Sequence, residues 1–94
     1  MATYLLFGKY CADAVKGMNA GRTEKMNKII RNFGGEIRSI YALLGEKDLV
    51  IITTFPRIEQ VIKASLAITK LTGIGFTTSE AIPVEDFDKM IGDI

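Results

Sequence analysis

The sequence predicts an α+β domain: a four-stranded antiparallel sheet with two helices on one side, in the order βαββαβ, followed by a short terminal helix. Three observations carry this reading. Residues 3–10 and 49–55 are apolar on both alternating faces, as strands in the middle of a sheet are. Residues 22–33 and 56–72 repeat apolar side chains at intervals of three and four, the helical period. Between two strand-like runs, Leu44, Gly45, Glu46, Lys47 and Asp48 make a short polar link that holds a glycine, which is a hairpin signal.

The first strand, residues 3–10, sets Leu5 and Phe7 on one face and Tyr4 and Leu6 on the other. Residues 11–21 read as a loop or a loose helical turn, punctuated by Gly17, Asn19 and Gly21, with Asp13 as a cap for a turn that packs Val15 and Met18. The first helix, residues 22–33, places Met26, Ile29, Ile30 and Phe33 on one stripe, with Thr23 as a late cap. Gly34 and Gly35 end it, because glycine accepts the left-handed conformation of a C-cap. The second strand, running from residue 35 to 43 or 44, carries Glu36, Arg38 and Ser39 and therefore suits an edge. The third, residues 49–55, has Leu49 and Ile51 on one face and Val50 and Ile52 on the other, so it belongs in the centre.

Pro56 fits the first turn of the second helix, where its missing N–H costs nothing. That helix runs to residue 71 or 72 and stops at Gly73. Ile58, Val61, Ile62, Ser65, Ile68 and Thr69 mark its face, widened by Leu66 and Leu71. Residues 74–82 are the fourth strand, with Phe76, Thr78, Glu80 and Ile82 on one face, and Pro83 ends it. Residues 84–91 form the terminal helix, acidic at its start and apolar at Phe87, Met90 and Ile91.

This order is the ferredoxin-like plan. Two helices cover one face of the sheet, and the two-sided strands leave the other face apolar and bare. A bare apolar patch of that size is an interface. Face-to-face packing of two sheets in a closed two-fold dimer is the expected solution.

The bulk properties agree. Ninety-four residues make a single domain, 1–94, with a modest core. Yet 48% of them are hydrophobic and the mean hydropathy is +0.21, a supply that a second chain would use. A net charge of +1 gives no global attraction to nucleic acid or membrane. Residues 1–44 hold seven bases and three acids and residues 45–94 hold five and eight. The split reads either as complementary solvated faces or as an anion-attracting patch on the first helix. Cys11 is the one cysteine, which rules out an intramolecular disulfide and fits a reducing cytoplasm. No apolar run approaches the ~20 residues of a membrane span, and residues 1–9 lack the basic leader of a signal peptide.

Several residues, taken in order and spacing, carry a family resemblance. They are Ala2-Thr3-Tyr4, Lys9 late in the first strand, Phe33-Gly34-Gly35, residues 41–48 (Tyr-Ala-Leu-Leu-Gly-Glu-Lys-Asp), Phe55-Pro56, and Pro83-Val84-Glu85-Asp86-Phe87. Together they resemble the GYD-domain family over nearly the whole chain. The family is named for a Gly-x-Tyr-Asp-like signature at this hairpin. Gly45 and Asp48 match it, and Lys47 stands where the family usually has an aromatic residue. The resemblance implies a ferredoxin-like fold of the dimeric α/β-barrel type and carries no assigned activity. By fold alone it is similar to amino-acid-sensing modules of transcription regulators and to small cofactor-independent oxygenases, which is analogy only.

Chemistry-bearing residues are few. With no histidine, a Ser-His-Asp or Cys-His arrangement, the usual zinc sets and a histidine-held haem are excluded. No phosphate-binding loop, dinucleotide fingerprint or RNA-binding aromatic signature is present. Asp48 reads either as a turn residue accepting local N–H groups or as an acid, base or ligand anchor at a barrel mouth. Glu46 is a loop-tip charge. Glu80 shares a strand face with Phe76 and Ile82; if that face is covered its pKa rises unless Lys9 or Arg38 partners it. Tyr4, Tyr10 and Tyr41 are either packed rings with satisfied hydroxyls or, beside Thr53, Thr78 and Ser79, the polar end of a ligand pocket. Cys11 reads either as a reactive thiol, with Lys9 its one basic neighbour, or, as free cysteines most often are, as an inert one. Glu85, Asp86 and Asp88 read either as a metal-holding cluster or as acids that suit a helix start and need no metal, the second being the expectation.

Tyr4, Lys9, Tyr41, Asp48 and Glu80 are therefore the pocket candidates, with neither cofactor nor metal expected. The shortage of catalytic groups points to a homo-oligomeric module binding a small organic metabolite or a partner protein. The alternative is a cofactor-independent oxygenase or isomerase acting on an apolar carbonyl compound, with Asp48 or Glu80 as base and a tyrosine as donor.

Overall fold

The computed structural model describes residues 1–94. Its elements are β1 (Ala2–Lys9), α1 (Ala12–Lys16), α2 (Ala20–Asn32), β2 (Glu36–Ala42), β3 (Leu49–Phe55), α3 (Ile58–Thr72), β4 (Gly75–Ala81) and α4 (Val84–Ile91). The strands make one antiparallel sheet in the order β2-β3-β1-β4. The apolar β1 and β3 are central and the more polar β2 lies at an edge, as their side chains require.

Helices α2 and α3 cover one face. Tyr4 and Leu6 of β1 and Leu49, Ile51 and Phe55 of β3 bury against Met26 and Ile30 of α2 and Val61, Ala64 and Ile68 of α3. Thr53 is the one polar residue fully buried there, and its hydroxyl donates to the Tyr4 carbonyl at 3.0 Å. Only one line of α3 reaches this core. Ile58, Ile62 and Leu66, a full helical row, stay exposed on its flank.

Residues 11–21 are more ordered than a loop. Cys11, not Asp13, caps α1: its Sγ accepts from the Ala14 N–H at 3.4 Å and donates to the Gly73 carbonyl at 3.3 Å, joining α1 to the end of α3. Helix α2 begins at Ala20, ahead of the expected residue 22. Asn19 caps it in place of Thr23 by accepting from the Arg22 N–H at 3.0 Å. Asparagine and serine-like side chains are strong caps, so the earlier signal wins.

Strand β2 is irregular at Arg38. Ile37 pairs with Thr53 and Ser39 with Ile52, which leaves Arg38 as the extra residue of a bulge. Ile37 and Ile40 therefore both pack against the helix-side core, while Ser39 and Tyr41 turn to the other face.

Helix α4 stands apart. None of its residues is buried and it packs substantially against no other element. The radius of gyration, 14.4 Å, exceeds the roughly 12 Å that a compact chain of this length would have.

Candidate functional site

The feature left without a partner is the sheet face opposite the helices. The register sets Leu5 beside Ile52, and Phe7 beside Val50, across the two central strands. Tyr41 of β2 lies beside Val50 on one flank. Thr77 and Ser79 of β4 lie beside Phe7 and Leu5 on the other. Val50 is buried, yet it is no part of the helix-side core, so its cover comes from its neighbours on this face. The Thr54 hydroxyl also lies on this face, beside Thr3 and Glu36, buried and without a hydrogen-bond partner. The result is an apolar centre with hydroxyl groups along its edges, the mix of a ligand-accepting or protein-accepting surface.

The five pocket candidates fall into three places. Asp48 and Lys9 meet at one end of the sheet. The Asp48 N–H donates to the Gly8 carbonyl at 2.9 Å, its carbonyl accepts from the Leu43 N–H at 2.9 Å, and its Oδ2 accepts from the Tyr10 N–H at 2.8 Å. The carboxylate thus continues the β1–β3 ladder past its last pair and pins the return of the hairpin. Lys9 Nζ lies 4.0 Å from the same oxygen and donates to the Glu46 carbonyl at 2.7 Å, closing the loop tip over the strand end. Gly45 turns the link with φ +145°, backbone that favours glycine.

Tyr4 and Glu80 meet at the opposite end, paired across β1 and β4 on the helix side. Burial pushes the Tyr4 phenol above its ordinary value, and the carboxylates of Glu80 and Glu59 add to that rise. Glu80 itself is exposed on its edge strand. Neither cation proposed for it is near: Lys9 sits with Asp48, and Arg38 pairs with Glu36 at 3.4 Å. Tyr41 stands alone on the bare face. The three tyrosines therefore do not converge, because Tyr4 and Thr53 face the helices, Tyr41 and Ser79 face away, and the Tyr10 ring is stacked under the Arg22 guanidinium at 5.5 Å.

Two hollows open on the protomer surface. One, of about 400 Å³, lies where α1, the start of α2 and the end of α3 meet. It gathers Arg22, Lys25 and Lys70 against the single acid Asp13, giving the basic patch anticipated on the first helix a third member from α3. Arg22 is already committed to the Ala14 carbonyl at 2.5 Å. The other hollow, of about 530 Å³, runs between α2 and the β2 edge and is lined by Ile37 and Ile40 with Arg31, Glu24 and Glu36 at its rim. None of Tyr4, Lys9, Tyr41, Asp48 and Glu80 lines either one. The sequence reading missed Lys70, whose distance along the chain hid it; the excess of bases before residue 45 was the only signal of that patch.

No group of histidine, cysteine or acidic side chains has the arrangement of a metal site. No helix is long and apolar enough to cross a membrane.

Comparison with known proteins agrees with this architecture. The family model described as GYD domain matches residues 4–91, nearly the whole chain, and the chain belongs to that family. Among solved structures the chain is similar to the leucine response regulatory protein LrpA of Mycobacterium tuberculosis, with a TM-score of 0.57 and 9% sequence identity. That match covers 86% of this chain and 50% of LrpA, so the chain spans half the length of that protein. At this identity the likeness is one of fold. No curated protein matches the chain in sequence.

Proposed function

We propose that this GYD-domain protein is a self-associating, non-catalytic module of the cytoplasm that binds a small organic metabolite or a partner protein. Two protomers pack their bare sheet faces together, and the ligand lies between the sheets. One observation carries the reading: Leu5, Phe7, Val50 and Ile52 occupy the centre of a sheet face that no element of the same chain covers. Burying such a face contributes about 25 cal/mol for each Å² of apolar surface removed from water, and Leu5, Phe7 and Ile52, each half-buried in the protomer, supply that surface around the already buried Val50. The hydroxyls of Ser39, Tyr41, Thr77 and Ser79 flank that centre and would orient a ligand between the sheets. The fold match to a protein described as a response regulatory protein is compatible with a regulatory role.

A cofactor-independent oxygenase or isomerase has less support. Asp48 is held by the Tyr10 N–H and works as a latch for the hairpin, and Glu80 is exposed at an edge. A general base needs a pocket that encloses it with its substrate.

Sedimentation equilibrium and concentration-dependent thermal melts test the proposal. A dimer is expected, with a melting temperature that rises with protein concentration and again when the bound metabolite is added back. Phe7→Asp should abolish association while the helix-side core stays folded. A well-folded wild-type monomer across the micromolar range would refute the reading.

A further inference from the structure

The hollow where α1, the start of α2 and the end of α3 meet differs in kind from the bare sheet face. Its volume, about 400 Å³, falls in the roughly 300–1,000 Å³ range of small-molecule sites, yet Leu71 is its one apolar lining residue. Such a site selects its occupant by charge. Arg22, Lys25 and Lys70 stand there against a single acid, Asp13. The helices sort these charges. Lys25 lies one turn beyond Arg22 on the α3 side of α2, and Lys70 comes from the last turn of α3. Glu24, the one acid of α2, turns to the opposite flank and lines the other hollow.

The neutral polar groups here are already used. Asn19 accepts from the Arg22 N–H and donates to the Gly17 carbonyl. The Thr69 hydroxyl donates to the Ile74 carbonyl, and the Thr72 hydroxyl donates to the Ile68 carbonyl and accepts from the Ile74 N–H. One terminal nitrogen of Arg22 is spent on the Ala14 carbonyl, and the guanidinium lies over the Tyr10 ring. These two contacts fix the half-buried side chain in place. What is left over is charge: the ammonium groups of Lys25 and Lys70, which pair with no carboxylate, and the remaining N–H groups of Arg22.

We propose that this hollow binds the phosphate group of a small phosphate monoester, with Lys25 and Lys70 as its charge partners and Arg22 as a fixed donor. A phosphate monoester carries nearly two negative charges at neutral pH, which matches the excess of two positive charges in the hollow. Its oxygens are strong acceptors for charge-assisted bonds from guanidinium and ammonium groups. Helix polarity acts both ways. The carbonyl end of α3 repels an anion, and Lys70, in that last turn, offsets it. The amide end of α2 attracts one. It has no acid in its first turn and carries Arg22 there, so the cations stand where the helix itself disfavours them and a bound anion relieves their repulsion. The site lies among the helices, on the opposite side of the sheet from the bare face, and it does not depend on self-association.

The test is an amide chemical-shift titration of the full chain with inorganic phosphate and with glycerol 3-phosphate, at constant ionic strength so that general screening does not change. Saturable shifts are expected at residues 13–25 and 69–73, with both probes. Lys25→Gln/Lys70→Gln removes two exposed charges without touching the core, and its amide spectrum reports that the fold is intact. It should raise the dissociation constant about tenfold. Asp13→Asn removes the opposing charge and should lower the constant about two- to threefold, a gain that damage to the fold would not produce. Glu24→Gln, on the other flank, should stay within about twofold of wild type. Shifts scattered over all basic surfaces, an unchanged constant in the double lysine variant, or weaker binding by Asp13→Asn would overturn the site. Acetate binding as tightly as phosphate would overturn the preference for a doubly charged anion. Binding of inorganic phosphate with glycerol 3-phosphate excluded would overturn the ester.

Discussion

Replacing Gly35 by alanine probes the packing that decides where α2 ends and β2 begins. A Cβ at residue 35 would meet the Phe55 ring at Cε1, at Cδ1 (2.6 Å) and at Cζ (2.7 Å), closer than real contacts allow. The ring has no room to retreat. Phe55 is fully buried and stands edge-on to the Tyr4 ring, centroids 6.3 Å apart at 70°. Overpacking of this kind costs about 1–3 kcal/mol, and a clash with a buried aromatic ring belongs at the upper end. Gly34→Ala is the control. Gly34 has φ +84°, and its added Cβ would come no closer than 3.7 Å to Pro56, so its cost is backbone strain alone, about 1–2 kcal/mol. Urea unfolding at one fixed protein concentration measures both. In the background of Phe55→Leu, which shrinks the ring, Gly35→Ala should cost about 1 kcal/mol less than in wild type, a coupling that a double-mutant cycle reads directly. A Gly35→Ala protein within about 0.5 kcal/mol of wild type, or cheaper than Gly34→Ala, would refute the reasoning.

Other predictions follow from the same contacts. Asp48→Ala leaves the Tyr10 N–H without its acceptor and should cost about 1–2 kcal/mol. Lys9→Ala removes only an exposed ion pair at 4.0 Å and should stay within about 0.5 kcal/mol of wild type in the same urea assay; the reverse order would mean that the charge pair, not the N–H latch, holds the hairpin. Tyr4 gives a pH dependence. Its folded phenol, raised by burial and by Glu80 and Glu59, keeps a proton that the unfolded chain gives up near pH 10. This group therefore leaves stability unchanged below that pH and lowers it as pH rises further, until the folded phenol ionises too. Thermal melts between pH 9 and about 11.5 should show a steeper decline for wild type than for Tyr4→Phe, and equal slopes would disprove the assignment. Thr53→Val should cost about 0.5–1.5 kcal/mol through loss of the hydroxyl's bond to the Tyr4 carbonyl, measured by the same unfolding curves.

Much of the fold is legible in the order of residues. The two-sided apolar runs at β1 and β3 are central strands, and the polar β2 is an edge, because each pattern reports its own burial. The bare sheet face follows from the same two strands together with a count of only two covering helices. What is hardest to read is the part built from contacts distant in sequence. Cys11 reads as a bystander, yet it caps α1 and reaches Gly73, 62 positions away. Asp48 is visible as a hairpin residue, but that its carboxylate would take the Tyr10 N–H is not.

By itself, the sequence determines the types and order of the main elements and the apolar surplus, because hydrophobic period and turn chemistry are local properties of the chain. It even marks the end of α2 by two glycines. Only the tertiary structure separates those glycines: Gly34 turns through a left-handed conformation, while Gly35 exists to admit the Phe55 ring from β3. Only the tertiary structure places Tyr41 as well. A strict two-residue alternation puts Ile37, Ser39 and Tyr41 on one face. The extra residue at Arg38 sends Ile37 into the core and leaves Tyr41 outside, since a one-residue slip in a strand exchanges its faces. Nothing local announces that slip, because it is set by which residues of β3 lie opposite.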